Sequence, residues 1–246
     1  MRLIIFLLFF IFTHVNAREY VVLAEITPPY TPIKNNGSDG IYKEILDYAF
    51  KDTKHTYVLT SLNTKSLIMA IKNNKNIDAV IGVTIYAPYY TELNKTIPIG
   101  SISLNPMTAK NFQLPLPYAH SLLSKRVGAV SEVGFDELMP YINLVTYPYA
   151  QQGLLKLFKN QVDVIVEDPL IVKCTSNFIF DNTLSDKTLY IHTPPIKSIE
   201  LHIGVFERNL DFVDLINKGT NVVNVNTLKE SYSKSCNITS KLIRNN

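Results

Sequence analysis

The sequence predicts an α/β chain made of two similar lobes, and three observations carry that prediction. The first is a unit that occurs twice: Leu67-Ile68-Met69-Ala70-Ile71-Lys72-Asn73 with Ile77-Asp78-Ala79-Val80-Ile81-Gly82-Val83, and Leu154-Leu155-Lys156-Leu157-Phe158-Lys159-Asn160 with Val162-Asp163-Val164-Ile165-Val166-Glu167-Asp168. Each copy reads as an amphipathic helix, a polar turn, an Asp and a buried strand, because helical spacing of apolar residues gives way to a β-branched run. The second is the order around each copy, which is strand, helix, strand, helix, strand in both halves, the pattern of a helix-flanked sheet. The third is length. A mature chain of about 230 residues is long enough to bury two small cores, and two lobes imply a cleft between them.

The elements follow in order. Glu19 to Ile26 alternates into a strand, which Thr27-Pro28-Pro29-Tyr30-Thr31-Pro32 ends as a stiff loop, since proline cannot continue a ladder. Asn35 to Gly40 reads as a turn, Ile41, Ile45, Tyr48 and Ala49 share one face of a helix over about 41–51, and Tyr57 to Thr60 is a short strand before the first repeat. Pro98, Pro106, Pro115 and Pro117 then mark a long irregular passage, where the first connection between lobes is expected. The second lobe begins with a strand at Val127 to Val130, a short helix from Phe135 to Met139 and a strand at Asn143 to Tyr147, followed by the second repeat. Leu189 to Ile191 and Leu201 to Val205 read as late strands on either side of Pro194-Pro195. The helices Leu210 to Lys218 and Leu228 to Lys234 are expected to return to the first lobe. The boundaries are therefore 18–104 with 195–246 for the first lobe and 105–194 for the second.

The opening residues set an expected location. Met1-Arg2, the apolar run Leu3 to Phe12 and the small residues at Val15 and Ala17 read as a secretory signal peptide over 1–17, cleaved after Ala17. The run is shorter than the roughly 20 residues a membrane span needs, and no Cys follows it to accept a lipid. A soluble, exported product in the periplasm is expected, and nucleic acid is not expected as a partner: the net charge is +3 and the Lys and Arg form no basic stripe. Cys174 and Cys236 are an even pair that an oxidising compartment would favour as a disulfide, with free buried thiols as the alternative. The five His stand apart from one another and from both Cys, so neither a metal nor a cofactor is expected. The sequons at Asn36, Asn94 and Asn237 matter only in a eukaryotic secretory pathway.

Taken in order, the Pro-Pro-Tyr loop, Gly40-Ile41-Tyr42 opening a helix, Asp78 to Thr84, Val127 to Val130, Val162 to Asp168 and Ile203-Gly204-Val205-Phe206 resemble family 3 extracellular solute-binding proteins. These are the amino-acid-binding components of ABC importers. The resemblance covers the whole mature chain and implies the type II periplasmic binding fold, in which two lobes, each a helix-flanked mixed sheet, close around a small ligand. It puts Tyr30 where an aromatic packs on the ligand, Gly82 to Thr84 where backbone and hydroxyl groups meet it, and Asp168 where an acid accepts an α-ammonium. Asp168 also precedes Pro169 as a helix N-cap would, and both roles are compatible.

The chain departs from the family at two places. The usual Thr-x-x-Arg, whose guanidinium clamps a carboxylate, reads Tyr86-Ala87-Pro88-Tyr89, and the usual Gly-Thr-Thr reads Glu132-Val133-Gly134. What remains is a rim of Tyr30, Tyr86, Tyr89, Tyr90 and Tyr149 with the acids Glu132, Glu167 and Asp168, which suits a cationic or neutral solute better than a free α-amino acid. The expected function is therefore monomeric binding of a small polar metabolite, amino-acid-like or an amine, for an ABC permease or a membrane sensor. Two other readings stay open: a dehydratase-like enzyme using Glu132 or Glu167 as a general acid, and a domain that has kept the fold and lost its ligand.

Overall fold

The computed structural model describes residues 17–32, 39–73, 76–110, 113–130, 140–175, 188–206, 209–221, 223–236 and 243–245. The apolar run at 3–12, the turn at 35–38, Glu132 and the helix expected at 135–139 lie outside the described residues.

The first repeat closes a parallel triplet of strands. β1 (Glu19–Glu25) lies between β2 (Thr56–Leu62) and β3 (Ala79–Val83), with Val22 opposite Ala79 and Val21 opposite Val58. Two helices make the crossovers, α1 (Ile41–Phe50) and α2 (Thr64–Asn73). The second repeat does the same. After the short helix α3 (Tyr118–Leu122), β5 (Arg126–Val130) lies between β6 (Asn143–Tyr147) and β7 (Val164–Glu167), with the helix α4 (Ala150–Phe158) crossing from β6 to β7. A further helix, α5, follows over 169–175.

Between the triplets run two long antiparallel strands, β4 (Lys95–Thr108) and β9 (Lys197–Val205), giving the order β2-β1-β3-β9-β4-β7-β5-β6. The short strands β8 (Leu189–Ile191) and β10 (Ile243–Asn245) pair with each other, and β8 also pairs with β4. The first part of the passage read from its prolines as irregular, with Pro98 and Pro106, is thus a strand, whereas Pro115 and Pro117 lie beyond it in irregular backbone. Pro98 sits where the β4 register against β9 shifts, before Gly100, so the irregularity absorbs the missing N–H. Pro106 stands opposite Val166, and its carbonyl accepts a hydrogen bond from the His192 N–H at 2.9 Å.

The Asp of each repeat has the same task. The Asp78 carboxylate accepts the Val21 N–H at 2.7 Å and the Arg18 guanidinium at 2.6 Å, while the Asp78 N–H donates to the Val21 carbonyl at 2.9 Å. The Asp163 carboxylate accepts the Arg126 N–H at 2.9 Å and the Arg126 guanidinium at 2.8 Å, and its N–H donates to the Arg126 carbonyl at 2.8 Å. Each Asp thereby locks its strand to the parallel neighbour at the entry edge of the sheet.

The helices α6 (Leu210–Thr220) and α7 (Val225–Ser235) pack on α1, and α7 also on β4. α7 begins with a capping box in which Asn224 and Thr227 exchange hydrogen bonds. One face of it grips the second triplet: Lys229 bonds Asp168, Ser233 accepts Lys173, and Cys236 is joined to Cys174 in a disulfide with 5.0 Å between Cα atoms.

The two Asp clamps differ in burial, the Asp78 side chain being 6% exposed and the Asp163 side chain 37%. Asp78→Ala leaves a buried N–H unpaired and is expected to lower unfolding stability by about 3 kcal/mol, against about 1 kcal/mol for Asp163→Ala. Urea unfolding of the two variants checks this ordering.

Candidate functional site

A cavity of about 520 Å³ opens at the carboxyl ends of β1, β3, β5 and β7, the ends away from the Asp clamps. Ligands of open α/β sheets bind at this edge. Its walls come from both triplets. The first gives Glu25, the loop Ile26 to Pro28, Tyr30, Tyr42, Gly82, Thr84 and Tyr89; the second gives Val130, Tyr149, Gln151, Gln152, Glu167 and Thr175. Ile102, Leu104 and Leu201 from β4 and β9 form part of the lining between them. Beyond Val130, Pro148 and Tyr149 lies a second cavity of about 370 Å³, whose other wall is the start of α2, with Lys65.

The Pro-Pro-Tyr loop is held by reciprocal bonds. The Thr27 N–H donates to Thr31 Oγ1 at 2.8 Å, and the Tyr30 N–H donates to the Thr27 carbonyl at 2.8 Å. The loop carbonyls of Pro29 and Tyr30 then accept the first N–H groups of α1, from Ile41 at 3.0 Å and Tyr42 at 2.9 Å. They do the work of a cap, since Gly40 brings no capping side chain. Gly40 itself, at φ 85°, lies so close to Thr31 and Tyr30 that a Cβ would stand 2.6 Å from the Thr31 carbonyl carbon. Loop and helix are therefore one unit, and Tyr30 and Tyr42 stack in it with ring centroids 5.5 Å apart.

Gly82 serves the same wall from β3. It has φ 84°, and a Cβ there would fall 2.2 Å from the Tyr42 hydroxyl, so glycine both permits the bulge against β9 and makes room for the ring. Thr84 accepts the Tyr86 N–H on its hydroxyl at 3.3 Å. Tyr86 does not line the cavity; its hydroxyl accepts a hydrogen bond from Lys197 at 2.5 Å, with that ammonium 5.2 Å from its ring centroid. Tyr89 is buried in the cavity wall.

The two neighbouring acids of the second repeat part company. Asp168 points into the base of α5, where its carboxylate accepts the Leu170 N–H at 2.8 Å, the Ser103 N–H at 3.0 Å and Lys229 Nζ at 3.2 Å. It is the N-cap that Pro169 suggested, with an ion pair added, and it does not line the cavity. Glu167 does, at 3% exposure, and its Oε1 makes no hydrogen bond among the described residues. Burial pushes its carboxyl up to about 8, the Asp168 charge adds to this, and the backbone N–H groups of Asp168 and Val130 oppose it. Burial also raises the Glu25 carboxyl, partly offset by a hydrogen bond from the Thr64 hydroxyl. The Tyr30 and Tyr42 hydroxyls are raised by burial, with Asp168 adding for Tyr30 and Tyr89 and Glu25 for Tyr42, so the wall presents neutral phenols.

Of the residues singled out in the sequence, the structure brings Tyr30, Gly82, Thr84, Tyr89 and Glu167 into one cavity, together with Tyr149 from the rim. Tyr86 and Asp168 do not line it, and Glu132 lies outside the described residues. Glu25, Tyr42, Gln151 and Gln152 were not anticipated. Glu25 had a signal: it is an acid that closes an apolar strand at its carboxyl end, directly before the Pro-Pro-Tyr loop.

No protein-family model matches the sequence, and no curated protein matches it. Solved structures do match. A histidine kinase sensor domain with similarity to periplasmic binding proteins superposes with a TM-score of 0.69 at 16% identity, over 92% of this chain and 98% of that chain. The fold is that of the two-lobe periplasmic binding protein-like domains. The GluR0 ligand-binding core from Nostoc punctiforme, in complex with L-glutamate, matches with a TM-score of 0.64 at 17% identity over 88% and 96%. The arginine-bound form of truncated ArgBP from T. maritima matches with a TM-score of 0.63 at 18% identity over 82% and 95%. Among the described residues no helix is long and apolar enough to cross a membrane, and no group of His, Cys, Asp and Glu is placed to hold a metal ion.

The raised Glu167 carboxyl has a consequence for stability. The unfolded chain releases this proton near 4.5 and the folded chain keeps it to about 8, so stability falls as pH rises across that window and levels off above it. The slope from one such group approaches ~1.4 kcal/mol per pH unit. Glu167→Gln is expected to flatten the profile and to exceed the parent in stability at alkaline pH, as read from urea midpoints at a series of pH values.

Proposed function

We propose that this chain is an exported solute-binding protein of the family 3 extracellular type, with lobes at 18–104 plus 195–246 and at 105–194 that close on a small polar solute. The solute is cationic or neutral at the end that meets the acids, and it is delivered to an ABC-type permease or presented to a membrane sensor. The observation that carries this reading is Glu167, a carboxyl buried in the wall of the inter-triplet cavity with one oxygen that has no partner among the described residues. A buried polar atom left without a partner costs about 1–3 kcal/mol, and a ligand donor would remove that penalty.

The rest of the lining agrees. It contains the carboxyls of Glu25 and Glu167 and, among the described residues, no Lys, Arg or His. Tyr86-Ala87-Pro88-Tyr89 brings no cation where related proteins clamp a carboxylate, and Tyr86 is engaged with Lys197 instead. Arginine and glutamate, present in two of the structures with this fold, both carry a carboxylate that this cavity is poorly equipped to neutralise.

Titration calorimetry with amines, neutral amides and α-amino acids tests the reading. An amine is expected to bind, with affinity rising as pH approaches about 8 because Glu167 must lose its proton to become the counter-ion. A saturating ligand at 100 times its dissociation constant adds about 2.7 kcal/mol to stability, so thermal shift gives an independent readout. Tight binding of an unmodified α-amino acid, with no response to amines, would overturn the cationic or neutral assignment.

A further inference from the structure

We infer that the solute is an aliphatic diamine or polyamine, one ammonium of which is taken by Glu25 on the first wall and another by Glu167 on the second. The inference rests on the binding function proposed above and narrows it to a ligand class. Glu25 ends β1 and Glu167 ends β7, so the two carboxyls belong to different triplets and share one cavity. The same cavity is also lined by Ile81, Ile102, Leu104 and Leu201, apolar side chains against which a methylene chain can pack.

Each acid is prepared for a cation in its own way. Glu25 is steadied by the Thr64 hydroxyl at the first residue of α2. Glu167 is 3% exposed, and its Oε1 has no partner among the described residues. A single ammonium could satisfy one of these groups and would leave the other acid facing an apolar chain. Two ammonium groups joined by methylenes satisfy both, and the charge-assisted hydrogen bonds they make are about twice as strong as neutral ones.

One feature of the wall favours an anion. The N-terminus of α4, at Ala150, Gln151 and Gln152, lines the cavity and has no side-chain cap. A helix N-terminus amounts to about half a positive charge, which a single ionised carboxylate outweighs. A ligand with a carboxylate beside its amines would nonetheless find a site there, so the carboxylate is the variable to test.

Calorimetry on the parent protein with cadaverine, putrescine, spermidine, pentylamine and lysine makes the comparison. Cadaverine differs from pentylamine by one ammonium and from lysine by one carboxylate. At least one of the diamines or spermidine is expected to bind tenfold or more tighter than both pentylamine and lysine. Glu25→Gln and Glu167→Gln should each weaken that ligand by about tenfold while affecting pentylamine in only one of the two variants. Unfolding midpoints of both variants show that they are folded. Equal binding of pentylamine, or tighter binding of lysine, would overturn the diamine assignment and leave solute binding standing. No binding by any amine, amide or amino acid would overturn both.

Discussion

Everything that positions this cavity depends on a carboxylate at the opposite edge of the sheet. Asp78 and Asp163 each accept an N–H near the start of the neighbouring parallel strand, from Val21 and Arg126, together with an arginine side chain, and return their own N–H to the carbonyl of that same residue. A parallel pair has no tight turn to fix its register, and a slip of one residue would turn every side chain to the other face. The Asp supplies the missing reference point. Once Val22 is opposite Ala79 and Val127 opposite Val164, the strands end in register, and their ends face the same space.

From that common start the two repeats diverge. Four residues after Asp78 stands Gly82, and four after Asp163 stands Glu167. On the first wall the position needs no side chain, because Tyr42 from α1 fills the space that a Cβ would take. On the second wall the same position places a carboxyl in the cavity, with backbone N–H groups of Val130 and Asp168 against it. Duplication of a framework thus gives two unlike walls, one phenolic and one acidic, and the acid on the phenolic side comes from β1 through Glu25.

What the sequence made visible is what periodicity controls. The paired repeats, the late strands and α1 follow from apolar spacing, which burial enforces whatever the partners are. β4 was hidden for a physical reason: Pro98 and Pro106 remove ladder donors, and only the partner strands show that a register shift and the His192 contact accommodate them. Tyr86 and Asp168 were hidden in another way. A motif gives a side chain's place in the chain and says nothing of its direction, and here the two groups are engaged by Lys197 and Lys229 and do not line the cavity. Neither lysine is near its partner in sequence.

The α7 helix explains why the charge in the cleft is so restricted. Glu167 and Asp168 are adjacent, and two unpaired carboxylates in one buried segment would repel strongly. Lys229 reaches from α7 to Asp168 and also donates to the Ser101 carbonyl at 2.6 Å, so one acid has its counter-ion inside the protein. Lys173 on Ser233 and the Cys174–Cys236 disulfide hold α7 in the place from which Lys229 can do this. The disulfide spans 62 residues, and closing a loop of that size stabilises a fold by about 4 kcal/mol in the chain-entropy account. The strap therefore reserves the internal cation for Asp168. Glu167 is left without that lysine, holding its proton unless, as proposed, a ligand cation takes its place.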